Sequence, residues 1–483
     1  MVIDALKYQI LQQFGFVPTE EQGQALDAFA RFLTDRDPDA VMILRGSAGT
    51  GKTSLSGAIV RTLKAIRQKV MLLAPTGRAA KVFSLNSGCP AYTIHRRIYR
   101  EKSFAGVDGQ FNLNDNLFTD TLFLVDEASM ISNLGLGGGN FGSGCLLDDL
   151  VRFVYQGHND RLMLIGDKAQ LPPVGEEESP ALNRMMLEGY GLKVYECDLN
   201  EVLRQSQESG ILYNATVIRQ MITHDDITQL PLIRFKGFAD IVMMPGNELV
   251  ESLANSYYRV GQDETMVITR SNKRANIYNN GIRNMVLDRE EELSSGDMLM
   301  IVKNNYFWTE KERNEAKEAL NAIPPFLANG DRAKVLRVSR HMELYGFRFA
   351  TLLLQFPDYD NYEMSVTALL DTLQSEAPAL THEQQEQLFH GVEEDYQDVP
   401  LKADRMKAIR GDQYFNALQV KYAYAITCHK AQGGQWEHVY VDQGYMTDDM
   451  LTPDYIHWLY TAFTRAKDKL FLVNWPKTQT EQA

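Results

Sequence analysis

The run Gly46-Ser-Ala-Gly-Thr-Gly-Lys52-Thr53 follows the apolar stretch Val41–Leu44 and fits the pattern G-x-x-x-x-G-K-[ST] at every fixed position. Few folds accept such a run. Its glycines let the backbone curl until successive N–H groups point at one anion. A helix expected over Ser54–Lys64 aims its N-terminus at the same place. The run therefore demands a strand–loop–helix unit and ties the chain to nucleoside triphosphates. Gly46, Ser47, Ala48, Gly49, Thr50 and Gly51 form the cradle. Lys52 reaches the β/γ-phosphates, and the Thr53 hydroxyl is a Mg²⁺ ligand.

Further strand-like runs alternate with helical patterns: Val70–Ala74, Thr121–Val125, Leu162–Ile165 and Val194–Cys197. A second set follows at Thr265–Thr269, Tyr422–Thr427, His438–Val441 and Lys469–Val473. Such alternation predicts parallel sheets covered by helices. With 483 residues the chain exceeds one typical core. The expected organisation is one α/β domain over 1–230, a second over 231–295 plus 413–483, and an insertion over 296–412. Residues 99–121 also break the pattern, with aromatics around the hairpin-type turn Asp108-Gly109.

Composition narrows the class. No stretch approaches the roughly 18 apolar residues of a membrane span, and the amphipathic N-terminus lacks the features of a signal peptide. Four scattered cysteines without a C-x-x-C pair indicate a reducing cytoplasm and no zinc site. The net charge of −14 speaks against nucleic acid until it is located. Between Asp358 and Asp404 stand twelve acidic residues and one lysine, a net of −11. The remainder is close to neutral, which leaves room for basic grooves. The acidic stretch itself reads as a solvated surface insert.

Thr121–Val125 delivers Asp126-Glu127 at its C-terminal end. Asp126 is placed to hold Mg²⁺ and Glu127 to polarise an attacking water. Arg161–Ile165 runs into Gly166-Asp167-Lys168-Ala169-Gln170-Leu171-Pro172, where Gln170 can hydrogen-bond both a γ-phosphate and the nucleophile. Phosphoryl transfer needs positioned cations, and Arg204 and Arg465 are the candidates.

Taken in order, these motifs resemble those of superfamily 1 helicases of the RecD/Dda/Pif1-like branch, from about residue 15 to 475. Phe16-Val-Pro-Thr19-Glu-Glu-Gln22 resembles the adenine-reading Q motif, with Gln22 as reader. Gly46–Thr53, Pro75-Thr76-Gly77-Arg78, Thr93-Ile94-His95, Asp126-Glu127 and Gly166–Pro172 resemble motifs I, Ia, T-x-H, II and III. Leu203-Arg204-Gln205, Thr427-Cys428-His429-Lys430-Ala431-Gln432-Gly433 and Tyr460–Ala466 resemble motifs IV, V and VI. The one departure is Gly434, where relatives often carry serine.

The resemblance implies two RecA-like P-loop NTPase domains clamping ATP, with a β-hairpin insertion and an SH3-like β insertion. It makes Arg204 and Arg465 arginine fingers and sets Gln432 and Gly433 against the nucleotide. It lines a single-strand track with Pro75, Thr76, Arg78, Thr93, His95, Thr427, His429 and Lys430. It places Phe104 and Phe111 on a pin that splits the duplex. Threonine hydroxyls, Arg78 and Lys430 suit phosphates, while His95 and His429 suit phosphate or stacking. The implied activity is an ATP- and Mg²⁺-dependent monomeric helicase on single-stranded and forked DNA in repair, recombination or replication. The direction implied is 5′→3′. An RNA translocase and an ATP-stabilised DNA-binding subunit remain as alternatives.

Overall fold

A computed structural model describes all residues except 1, 105–108, 136–141, 203–207, 225–226, 316–322, 325 and 482–483. Two parallel sheets and a closed barrel organise it. The first sheet has six strands in the spatial order Ala91–Thr93, Lys69–Ala74, Thr121–Val125, Arg161–Gly166, Ala40–Gly46 and Lys193–Leu199. All its pairings are parallel. Strands of this kind are buried on both faces, which is why they appear in sequence as unbroken apolar runs. The second sheet orders Ala425–Thr427, Thr265–Thr269, Trp436–Asp442, Ala466–Val473 and Ile241–Met244, again all parallel.

Local chemistry starts and stops the helices that carry the motifs. Thr19 and Gln22 form a reciprocal capping box at the start of Glu20–Thr34. Thr76 caps Gly77–Ser87, and Gly88 ends that helix in the left-handed region. Pro453 opens Pro453–Phe463 behind the cap Thr452.

The barrel is built from Met298–Ile301, Arg332–Leu344, Phe347–Phe356, Tyr362–Leu369 and Leu418–Tyr422. It is the expected SH3-like element. The strand expected over 422–427 is two strands: Leu418–Tyr422 closes the barrel, and Ala425–Thr427 joins the second sheet. Asn279, buried in Asn272–Gly281, holds this break. Its Oδ1 accepts from the amides of Tyr424 and Ala425, and its Nδ2 donates to the carbonyls of Tyr422 and Ala425. Beside it Asp297, fully buried, receives Arg283 at 3.0 Å and Arg289 at 2.7 Å.

The acidic stretch is not merely a solvated insert. It contains the helices His382–Asp395 and Lys402–Arg410. Leu388, Val392 and Ile409 pack on Phe347, Phe349 and Leu369 of the barrel, while Glu383, Glu386, Glu394 and Asp395 are exposed. The hairpin strands Tyr99–Phe104 and Gly109–Leu113 are present, but the side chains of Phe104 and Phe111 lie outside the described residues.

Candidate nucleotide site and strand track

The phosphate loop leaves the central strand Ala40–Gly46 and enters Lys52–Ala65 with Gly49 at φ 79° and Gly51 at φ 76°. Only glycine takes these angles cheaply. The Lys52 ammonium donates to the Gly46 carbonyl at 3.0 Å, curled back over the loop. Gln22 is buried, and its amide is engaged at both ends. It accepts from the Thr19 amide at 3.0 Å and donates to the Thr50 carbonyl at 2.9 Å. Gln22 thus braces the loop from below.

Asp126 and Glu127 stand beside the loop. Burial, and then Glu127, push the Asp126 carboxyl up to about 6. Glu127 occupies the left-handed region at φ 53°, a conformation that costs a non-glycine residue on the order of 1 kcal/mol or more. Glu127 Oε2 and Gln170 Oε1 are buried without a hydrogen-bond partner. Two orphaned acceptors and a desolvated carboxylate beside a glycine cradle fit a hydrated cation and a phosphate chain. Thr53 and Asp126 are the residues that would hold that cation. No cluster of three or more His, Cys, Asp or Glu suited to a metal exists among the described residues.

A cleft of about 400 Å³ joins these groups to the other half of the molecule. Ser47, Lys52, Thr53, Asp126, Glu127 and Gln170 line one side, and Gly433, Gln435, Arg465 and Lys467 the other. Arg465 is buried, with Nε on the Thr461 carbonyl at 3.0 Å and Nη1 on the Gly434 carbonyl at 3.2 Å. Gln432 donates to the Leu171 carbonyl at 2.7 Å. A Cβ at Gly434 would lie 2.5 Å from the Trp436 ring, so a side chain there would displace that ring. Arg204 lies outside the described residues.

Several contacts were not legible in the motifs. Tyr460 donates to Asp167 Oδ2 at 2.7 Å and accepts from the Ala48 amide at 2.9 Å. Thr461 accepts from the Leu171 amide at 2.8 Å. Arg219, on Gly210–Thr223, bonds the Ser47 hydroxyl. The spacing 457, 460, 461 on one helix was the available signal, because i, i+3 and i+4 share a face.

The track residues divide. Thr76 and Thr93 use their hydroxyls as helix caps, accepting from Ala79 and Arg96. Pro75 follows the strand Lys69–Ala74 and directly precedes Thr76. Thr427 sits at the start of Cys428–Ala431 with its hydroxyl uncommitted to a cap, and His429 is exposed there. Burial lowers the Lys430 ammonium to about 8, with Lys421 adding to the effect. Burial drives His95 down to about 4, so it is neutral at pH 7. Arg78 lies elsewhere: it donates to the Gln435 carbonyl at 2.7 Å, stacks 4.7 Å above Trp436 and faces Asp358 at 3.8 Å. It stands where both sheets meet the barrel.

Comparison with known proteins agrees with this geometry. Residues 19–220 match the model of an AAA domain, and residues 422–473 match that of the UvrD-like helicase C-terminal domain. The two matches bracket the cleft and define a P-loop motor protein of the helicase class. Together with the similarity to a RecD2 DNA helicase, they support a superfamily 1 helicase of the RecD/Pif1-like kind. An uncharacterised protein of Methanocaldococcus jannaschii is 33% identical over 171 residues, 33% of this chain and 14% of that one. The ATP-dependent RecD2 DNA helicase of Deinococcus radiodurans is 31% identical over 157 residues, 32% of this chain and 18% of its own length. The chain thus spans less than a fifth of either relative. An uncharacterised mimivirus protein is 22% identical over 491 residues, covering 89% of this chain and 94% of that one. Among solved structures, a Bacteroides Pif1 helicase in complex with ADP-AlF3 and ssDNA aligns at 14% identity and TM-score 0.47, over 97% of this chain and 95% of that one. Pif1 helicase from Candida albicans aligns at 17% and 0.40, over 97% of each.

Proposed function

We propose that this chain is an ATP-dependent DNA helicase that moves along single-stranded DNA, 5′→3′, and opens duplexes at forks. The observation that carries the reading is the cleft in which the phosphate loop, Asp126 and Glu127 face Arg465 and Lys467 from the second sheet. Hydrolysis in such a cleft depends on how the two halves sit, which is what a motor requires. Lys52 and the loop amides bind the phosphates, Glu127 orients and polarises water, and Gln170 senses the γ-position. Arg465, with Arg204, neutralises charge on the transferring group. Mg²⁺, held by Thr53 and Asp126, supplies further neutralisation when bound.

The strand passes Pro75, Thr76, Thr93, His95, Thr427, His429 and Lys430, with Arg78 at the barrel junction and Phe104 and Phe111 on the hairpin. The first domain is read as 1–230 and the second as 231–295 plus the chain from about 423, rather than from 413. The insert reaches Tyr422, because that strand completes the barrel. We read the protein as a monomer acting in the cytoplasm; no helix among the described residues is long and apolar enough to cross a membrane.

The test is strand displacement with 5′-tailed, 3′-tailed and blunt duplexes under Mg²⁺-ATP. Opening of the 5′-tailed duplex alone is expected. Opening of the 3′-tailed duplex alone reverses the direction, and no opening of any substrate overturns the helicase reading.

A further inference from the structure

We propose that Tyr460 is a positioning residue. Through it, the helix Pro453–Phe463 sets the phosphate loop and the loop Asp167–Leu171 relative to Arg465. The inference rests on the helicase reading above and adds a coupling element to it. Tyr460 is 1% exposed, and its hydroxyl makes two bonds at once. It donates to Asp167 Oδ2 at 2.7 Å and accepts from the amide of Ala48, inside the phosphate loop, at 2.9 Å. Asp167 is tied in turn to its own loop, since Oδ1 accepts from the Ala169 amide at 2.9 Å.

The grip is wider than one residue. His457 Nδ1 lies 3.0 Å from the Ala169 carbonyl and 3.2 Å from that of Gln170, which fixes Nδ1 as the protonated nitrogen. Thr461 Oγ1 accepts from the Leu171 amide, and the Thr461 carbonyl accepts from Arg465 Nε. One helical face therefore holds the Asp167–Leu171 loop at three points, while the next turn carries the arginine. Tyr460 alone extends that face to the phosphate loop. Any shift of the helix that moves Arg465 must also pull on the Ala48 amide and the Asp167 carboxylate. Without the hydroxyl the phosphate loop is released from the helix, and a part-buried N–H and a buried carboxylate oxygen lose a partner.

The test is Tyr460→Phe, which keeps the ring and its packing. In steady-state ATP turnover with saturating single-stranded oligo-dT, kcat is expected to fall about tenfold or more, the rate equivalent of one hydrogen bond to a charged group. KM for ATP and the affinity for oligo-dT are expected to stay within twofold. Asp167→Asn should act through the same bond, so the double variant should be little slower than the slower single one. Should Tyr460→Phe melt below the working temperature, Asp167→Asn alone carries the kcat-against-KM comparison. A wild-type chain whose ATP turnover oligo-dT does not stimulate overturns the helicase reading. A stimulated wild type that Tyr460→Phe matches within twofold, or fully additive single effects, overturns the assignment of Tyr460 alone.

Discussion

The amide of Glu127 donates to Asp126 Oδ1 at 2.9 Å, so the two carboxylates at the end of Thr121–Val125 are locked into one rigid turn. The turn holds Glu127 at positive φ and leaves its Oε2 buried and unpartnered. In the proposed mechanism this unpartnered oxygen faces the attacking water and takes its proton. Glu127→Gln should lower kcat for ATP by about 10²–10⁴, the range of a lost general base, while nucleotide binding survives. Single-turnover hydrolysis alongside fluorescent-nucleotide titration checks both halves of this expectation.

Lys430 gives a pH signature. Its ammonium is lowered to about 8 by burial and Lys421. The charge is therefore present at pH 7 and is lost as pH rises through 8. Affinity for single-stranded DNA should weaken severalfold between pH 7 and 9, and Lys430→Arg should flatten that profile because arginine stays charged. Lys430→Ala should reduce the slope of log affinity against log salt by about one. Fluorescence anisotropy across a pH and salt grid reads all three.

In the barrel, Asp331 is buried and its carboxyl is pushed up to about 7, chiefly by burial, despite bonds from Tyr359 and the Ala328 amide. The raised value has a definite sign. Below about pH 4 the group is protonated whether the chain is folded or not. As pH rises from 4 to 7 the unfolded chain ionises first, so wild-type stability falls relative to Asp331→Asn. The difference approaches about 4 kcal/mol and is flat above pH 7. Denaturant melts of both proteins at pH 4, 6 and 8 test it.

The acidic helix His382–Asp395 also carries a stability expectation. Leu388 is 5% exposed in the small core that His382–Asp395 forms against Phe347 and Phe349. Leu388→Ala should cost about 2–5 kcal/mol there. Hydrogen exchange should rise across 380–417, with exchange in the first sheet unchanged.

Much of this architecture was legible because parallel strands and phosphate loops are local patterns. Ile241–Met244 escaped notice because it is a four-residue edge strand between Asp240 and Pro245. Tyr362–Leu369 escaped because its polar residues break the apolar run. The break at Ala423-Tyr424 is invisible in sequence: every residue from Leu418 to Ile426 is buried, and no turn former marks it. What divides the run is Asn279, 145 residues away from Tyr424. In the site, the residues that bond within one motif were readable. The Tyr460–Asp167 and Gln432–Leu171 contacts join distant segments and follow only from how the two sheets dock.

The placement of Asn279 has a consequence for how such chains diversify. The barrel leaves the second sheet after Thr265–Thr269 and its helix, and returns at Ala425–Thr427, the strand paired beside it. The two ends of the excursion meet there, since the Ala423 amide donates to the Met298 carbonyl at 2.9 Å. A module attached at so narrow a base can be exchanged or lengthened without shifting the register of the sheet that bears it. The helices His382–Asp395 and Lys402–Arg410 fit that reading: they add a small core of their own to the barrel, outside the sheet that bears it.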